Sequence, residues 1–133
     1  DHIEPATTPV ISAQCLRVAC SDGHMAAASV KFKNKPSKEV MIERWNNFKG
    51  RAQELKLPSA PEHYLTYCEE DNRPQTKLDR MTENGMGVTI GRLREDTIFD
   101  YKFVSLSHNT LRGAAGGAVL MAELLCAEGY MDR

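Results

Sequence analysis

Apolar and polar residues alternate in several short segments of this chain, which is the spacing typical of β-strands. The alternation predicts five strands, at residues 9–20, 25–33, His63–Tyr67, Val88–Arg94 and Ile98–Leu106. Ser21, Asp22 and Gly23 lie between the first two of these segments and are typical turn residues. The sequence therefore predicts that the first two strands form an antiparallel hairpin.

Apolar residues spaced three and four positions apart predict two helices. The first begins after Ser37, which is a suitable N-cap, is interrupted at Gly50 and ends before Pro58. The second follows Asn109 and extends to about Glu128.

The segment from Glu69 to Gly87 is polar, contains Pro74, and predicts a long exposed loop of the kind that often carries function or forms an interface. Strands and helices that do not alternate regularly along the chain favour an α+β fold. We expect a largely antiparallel or mixed β-sheet with helices packed on one face.

Composition narrows the class of protein. A chain of 133 residues with a net charge of −1 predicts one domain and, without a basic cluster, no nucleic-acid partner. No apolar run suggests a membrane span or a signal segment, so we expect no membrane association. The chain starts without methionine and reads as a piece of a longer protein. The four cysteines lack metal-ligand spacing, which favours free thiols in the cytoplasm and predicts no metal site: Cys15, Cys20, Cys68 and Cys126.

Candidate chemistry is concentrated in the segment ISAQCLRVACSDGH, where Arg17 and His24 flank the predicted turn. A guanidinium binds a carboxylate through two parallel hydrogen bonds, and an imidazole transfers protons near neutral pH. On residue type alone, a solvated strand arginine and an ordinary turn histidine are the leading alternatives. Cys15 shares a strand face with Arg17 and is assigned a packing role. The remaining histidines are given no role: His2, His63 and His108.

The spacing of this segment resembles the signature of the aspartate-semialdehyde dehydrogenase family, with Met25 where the family has a small residue. Two further blocks, DNRPQTKLDR at 71–80 and LSHNTLRGAAGGAV at 106–119, resemble the fungal and archaeal branch. The resemblance implies the C-terminal substrate-binding and dimerisation domain of that family, which has a glyceraldehyde-3-phosphate dehydrogenase-like fold. The signature residues are Ile11, Ser12, Cys15, Arg17, Val18, Gly23 and His24.

The resemblance implies an oxidoreductase reaction, the reductive dephosphorylation of L-aspartyl-4-phosphate to the semialdehyde with NADPH, which leads to lysine, methionine and threonine. It further implies that His24 is the general acid/base, that Arg17 binds the substrate carboxylate, and that Asn109 contacts the nicotinamide of NADP. Asn109 has an alternative role as an ordinary helix N-cap. The family's nucleophilic cysteine and its dinucleotide-binding turn do not occur in this sequence, so we expect the chain to be inactive alone.

The resemblance also implies two parts, a substrate-binding and dimerisation domain at 1–107 and a C-terminal helix at 108–133 that packs on the NADP-binding domain. We expect a homodimer or tetramer acting on a small-molecule substrate. The polar face of the sheet or the Asp71–Arg80 loop would meet the second subunit. Two alternatives stay open: a non-catalytic assembly module, and a related enzyme such as N-acetylglutamyl-phosphate reductase.

Overall fold

A computed structural model describes residues 3–131, and within them the chain forms one mixed sheet of four strands. His2 and residues 132 and 133 of the predicted C-terminal part lie outside the described residues. The central strand β4 pairs antiparallel with β1 and β3, and β2 pairs parallel with β3. The predicted α+β class with a mixed sheet is confirmed. The strands are β1 (His24–Val30), β2 (Leu65–Cys68), β3 (Val88–Glu95) and β4 (Tyr101–Ser107), in the spatial order β1-β4-β3-β2.

Both predicted helices form, and one short helix that the sequence did not predict lies within the segment 69–87. Ser37 caps the first helix, because its Oγ accepts the N–H of Val40 at 3.3 Å. Gly50 separates the first helix from the second, as expected. The helices are α1 (Lys38–Asn46), α2 (Arg51–Glu54), α3 (Thr76–Asp79) and α4 (Gly116–Ala127), with a 3₁₀ turn at Thr82–Gly85 and a π-helical turn at Leu111–Ala115.

The predicted strand at 9–20 is wrong for this chain. These residues pair with no strand among the described residues, and their apolar side chains are exposed, Val10 at 93% and Leu16 at 82%. A strand depends on hydrogen bonds to a neighbouring strand, and an alternating pattern does not reveal whether that neighbour exists. The predicted hairpin is therefore wrong as well, since β1 pairs with β4.

The main core lies between α1 and one face of the sheet. Met41 of α1 packs with Leu93 of β3 and Tyr101 of β4, and all three are buried. Trp45 extends this contact across the sheet, with its ring 6.0 Å from that of Tyr67. A second buried cluster of Ala52, Met86 and Leu120 joins α2 to α4.

The predicted exposed loop from Glu69 to Gly87 is only partly correct: residues 69–72 are exposed, but residues 73–87 fold back against the other face of the sheet. The hydroxyls of Thr82 and Thr89 lie 3.1 Å apart, and Thr89 belongs to β3. A Cβ on Gly91 would overlap the carbonyl of Arg73, so only glycine permits this close approach. Polar composition suggested exposure, but here the polar groups are paired with one another.

A buried ion pair holds the segment in place. Arg73 donates from Nε to both carboxylate oxygens of Asp79, at 3.0 and 2.8 Å, and also from Nη2 to Oδ1. The N–H of Gln75 donates to the same carboxylate at 2.7 Å, and Asp79 is only 3% exposed. Burial alone would raise the pKa of Asp79, but the hydrogen bonds from Arg73 and Gln75 outweigh it and hold that pKa below its ordinary value.

We expect Asp79→Asn to lower the free energy of unfolding by about 2–4 kcal/mol, because Arg73 then loses its carboxylate partner in a largely buried position. Since folding lowers the pKa of Asp79, its contribution is fully present above the pKa of an unfolded aspartate, roughly 4, and is lost as the pH falls through the lower native value. Urea unfolding of the purified protein at a series of pH values measures both effects.

The matched control is Glu95→Gln, which removes the exposed pair between Lys35 and Glu95. Exposed pairs contribute little, so this variant should unfold as the wild type does. Equal losses in the two variants would contradict a special role for the buried pair.

Candidate functional site

The turn before β1 meets the beginning of the C-terminal helix at one end of the sheet. The N–H of Gly23 donates to Oδ1 of Asn109 at 3.1 Å. His24 is paired in register with Ser107 of the neighbouring strand β4. Because paired strands lie about 5 Å apart, this contact places His24 and Asn109 at the same corner of the sheet, where both residues are exposed.

Gly23 is required at this corner for two reasons. Its φ is +107°, a conformation that residues with a side chain rarely adopt. A Cβ would also lie 3.0 Å from Cγ2 of Thr76 and 3.2 Å from Cδ1 of Leu106. The glycine that the sequence marks as a turn residue is therefore enclosed by α3 and β4.

Arg17 is not joined to this corner. Within the described range it makes no hydrogen bond or ion pair, and it is exposed in the extended segment that precedes the turn. Its proposed contact with substrate therefore stays a prediction. Cys15 is exposed rather than packed, which corrects the expectation for that residue, because the strand that would have buried it does not form.

Arg80 brings a guanidinium to the turn that sequence reasoning missed. Its Nη1 donates to Oγ of Ser21 at 3.1 Å. Arg80 follows α3 directly and is next in the sequence to Asp79, whose carboxylate binds Arg73. The only signal in the sequence was its place at the end of the block at 71–80, and nothing there linked it to a turn some sixty residues earlier.

His108, which the sequence left without a role, caps the C-terminal helix. Its Nδ1 accepts the N–H groups of Thr110 and Leu111, each at 3.1 Å, and the residue is 7% exposed. These are the donors that an N-cap satisfies. The alternative in which Asn109 serves as the N-cap is therefore wrong, and its side-chain oxygen binds Gly23 instead.

The residues of this corner carry an imidazole, an amide and a guanidinium, which are groups suited to proton transfer and to anion binding. The thiol of Cys68 is unsuited to nucleophilic attack because burial raises its pKa and disfavours the thiolate. Among residues 3–131 there is no group of three histidine, cysteine or acidic residues placed to hold a metal ion. The helices in the same range are too short or too polar to cross a membrane.

Comparison with known proteins gives consistent matches. A family model described as semialdehyde dehydrogenase, dimerisation domain, matches residues 2–112. The chain is 46% identical over 119 residues to an aspartate-semialdehyde dehydrogenase of Saccharomyces cerevisiae, covering 88% of this chain and 33% of the yeast protein. It is 44% identical over 133 residues to a malonyl CoA reductase (NADP) of Metallosphaera sedula, covering 98% of this chain and 37% of that protein.

The fold is similar to that of a solved relative. The crystal structure of aspartate semialdehyde dehydrogenase with NADP from Candida albicans matches with a TM-score of 0.72 at 38% identity, covering 81% of this chain and 31% of that chain. The chain thus spans about a third of the length of the relatives it matches.

We expect Gly23→Ala to destabilise the protein more than Gly129→Ala. Both glycines have a positive φ, which costs about 1–2 kcal/mol for a residue with a side chain. A Cβ on Gly129 meets nothing within 4 Å, whereas a Cβ on Gly23 presses on Thr76 and Leu106, which adds about 1–3 kcal/mol. Chemical denaturation of the two variants measures the difference, and equal losses would show that Gly23 is not enclosed.

Proposed function

The chain belongs to the semialdehyde dehydrogenase dimerisation-domain family, and from this premise we propose that it is the C-terminal substrate-binding part of an NADP-dependent aspartate-semialdehyde dehydrogenase. Membership confirms the resemblance found in the sequence, and the mixed sheet agrees with the glyceraldehyde-3-phosphate dehydrogenase-like fold expected of that part. The proposed reaction is the reductive dephosphorylation of L-aspartyl-4-phosphate to the semialdehyde. Its nucleophile and most of its NADP-binding site would lie outside this chain.

The hydrogen bond between Gly23 and Asn109 is the observation that carries the proposal. It ties the residue that precedes His24 to the side chain of Asn109, and His24 and Asn109 are both exposed. In the proposed reaction His24 accepts the proton of the attacking thiol. It then exchanges a proton with the substrate oxygen as hydride is transferred. An imidazole suits both steps because it gains and loses a proton near neutral pH.

Asn109 fits a contact with the cofactor. NADP supplies hydride-transfer chemistry when bound. The side-chain oxygen of Asn109 is already engaged by Gly23, and its Nδ2 donates to no residue of the described chain. That amide is therefore available to hydrogen-bond the carboxamide of the nicotinamide ring.

Arg17 completes the proposed site as the group that binds the substrate carboxylate. Its guanidinium is exposed and has no competing partner among residues 3–131. Arginine suits the task because its planar fork donates two parallel hydrogen bonds to a carboxylate. Arg80 has a second guanidinium near this turn, but its Nη1 already donates a hydrogen bond to Oγ of Ser21, so we assign Arg80 a structural role.

A second candidate function is reduction of malonyl CoA. The Metallosphaera sedula relative named for that activity is nearly as similar, at 44% identity, as the yeast dehydrogenase at 46%. Malonyl CoA also carries a free carboxylate, so Arg17 has the same use in either reaction. The loss of NADPH absorbance, measured on the intact protein with each substrate in turn, separates these two candidates and also tests N-acetylglutamyl phosphate. Activity that does not depend on Arg17 and His24 would favour the non-catalytic assembly module.

We further propose a homodimer or tetramer divided as the sequence predicts, with residues 108–133 packing on the NADP-binding part. The family name describes a dimerisation domain, and its match ends at residue 112, near this boundary. On α4, Val119 and Met121 are 52% and 56% exposed, which leaves apolar surface for such packing. The exposed apolar side chains at 10–18 or the segment at 71–80 are candidates for the subunit contact. Four free cysteines favour a cytoplasmic location.

In the intact enzyme, His24→Asn should slow kcat by about 10²–10⁴-fold, because asparagine keeps a polar side chain of similar size without a titratable group. Steady-state kinetics across neutral pH measure the loss. His63→Asn is the matched control, since His63 is also exposed and precedes β2, at the opposite edge of the sheet from β1. Near-normal turnover of His24→Asn would remove this residue from the site.

In the same enzyme, Arg17→Lys should reduce kcat/KM by about 10- to 150-fold, the effect of losing about 1.5–3 kcal/mol from a charged hydrogen bond. Arg44→Lys, which changes an exposed arginine of α1, should leave kcat/KM unchanged. If the two variants behave alike, Arg17 does not bind the substrate.

A further inference from the structure

His108 is a buried histidine whose tautomer is determined by its neighbours. Two backbone N–H groups, those of Thr110 and Leu111, converge on Nδ1 at 3.1 Å each. A ring nitrogen that accepts hydrogen bonds carries no proton, so the proton of the neutral ring is on Nε2. His108 therefore acts as an acceptor at the helix entry, the task usually performed by serine, threonine, aspartate or asparagine.

This arrangement changes what Asn109 is able to do. An asparagine at a helix entry usually turns its side-chain oxygen onto the N–H two or three residues later. For Asn109 the first of these donors belongs to Leu111, and His108 has already taken it. The oxygen of Asn109 instead accepts the N–H of Gly23, which is 86 residues away in the sequence.

The helix entry is held on both sides of Asn109. The N–H of Gly113 donates to the carbonyl of His108 at 3.0 Å, which opens the first turn into the wider π geometry often found at functional sites. On the other side, the side chain of Leu111 lies so close to Gly85 that a Cβ there would overlap it. Asn109 itself is exposed between these two anchored residues.

We propose that His108 is a positioning residue that caps the helix in place of Asn109 and so leaves the Asn109 amide free to face the nicotinamide. This inference rests on the proposed function. In the proposed enzyme His108 contacts neither the substrate nor the cofactor, and it acts only through Asn109.

The test uses the intact enzyme and measures NADPH binding without turnover, together with backbone hydrogen exchange at residues 110 and 111. His108→Leu fills the same space without an acceptor, so Asn109 is drawn to the vacant cap and away from Gly23. We expect the Kd for NADPH to rise about tenfold and exchange at both amides to accelerate. His108→Ala replaces His108→Leu if the latter does not fold.

A rescue variant and a double variant separate positioning from general stability. His108→Asn supplies an acceptor of N-cap type and should restore the Kd to within about threefold of the wild type. In the Asn109→Ala background, His108→Leu should weaken NADPH binding no further, because residues that act through one another are not additive. Additive losses, or a folded His108→Leu enzyme that binds NADPH normally, would overturn the positioning role alone. A wild-type enzyme that does not bind NADPH would overturn the proposed function and this inference with it.

Discussion

The antiparallel pairing of β1 with β4 is the constraint on which the candidate site depends. This register sets His24 opposite Ser107, so the start of one strand meets the end of the other. The turn before β1 and the helix entry after β4 are thereby brought to one corner. The hydrogen bond from Gly23 to Asn109 closes that corner, and every group proposed to act there, apart from Arg17, is positioned by it.

The other face of the sheet is organised by the buried pair of Arg73 and Asp79. A carboxylate that is almost fully buried requires a partner, and three donors from Arg73 and Gln75 satisfy it. The pair lies within the polar segment 69–87, which folds back over β3 and contains α3. As a result Thr76 lies against Gly23, and Arg80 reaches Ser21. The stability of the fold and the shape of the candidate site are therefore coupled through this segment.

The helix entry shows how a division of labour between adjacent residues supports the proposed chemistry. One side chain cannot both cap a helix and orient a cofactor. His108 accepts the backbone N–H groups of Thr110 and Leu111. The side chain of Asn109 binds Gly23 through its oxygen, and its NH₂ group is available to another partner. The proposed enzyme needs further parts, since the chain spans about a third of its relatives' length. The exposed apolar side chains of segment 9–20 form a surface that such parts could bury.

Local patterns in the sequence determined the features that depend on neighbouring residues: the strand β1, the Ser37 cap, the break at Gly50, the C-terminal helix and the family signature around His24. Periodicity and capping act over a few residues, which is why these predictions hold. Only the tertiary structure decided that residues 9–20 have no strand partner within residues 3–131, that residues 73–87 of the polar segment pack against the sheet, and that His108 caps the helix. Each of these depends on contacts between distant residues or on a competition between donors and acceptors. A linear sequence does not state which residues meet, so these outcomes became visible only in three dimensions.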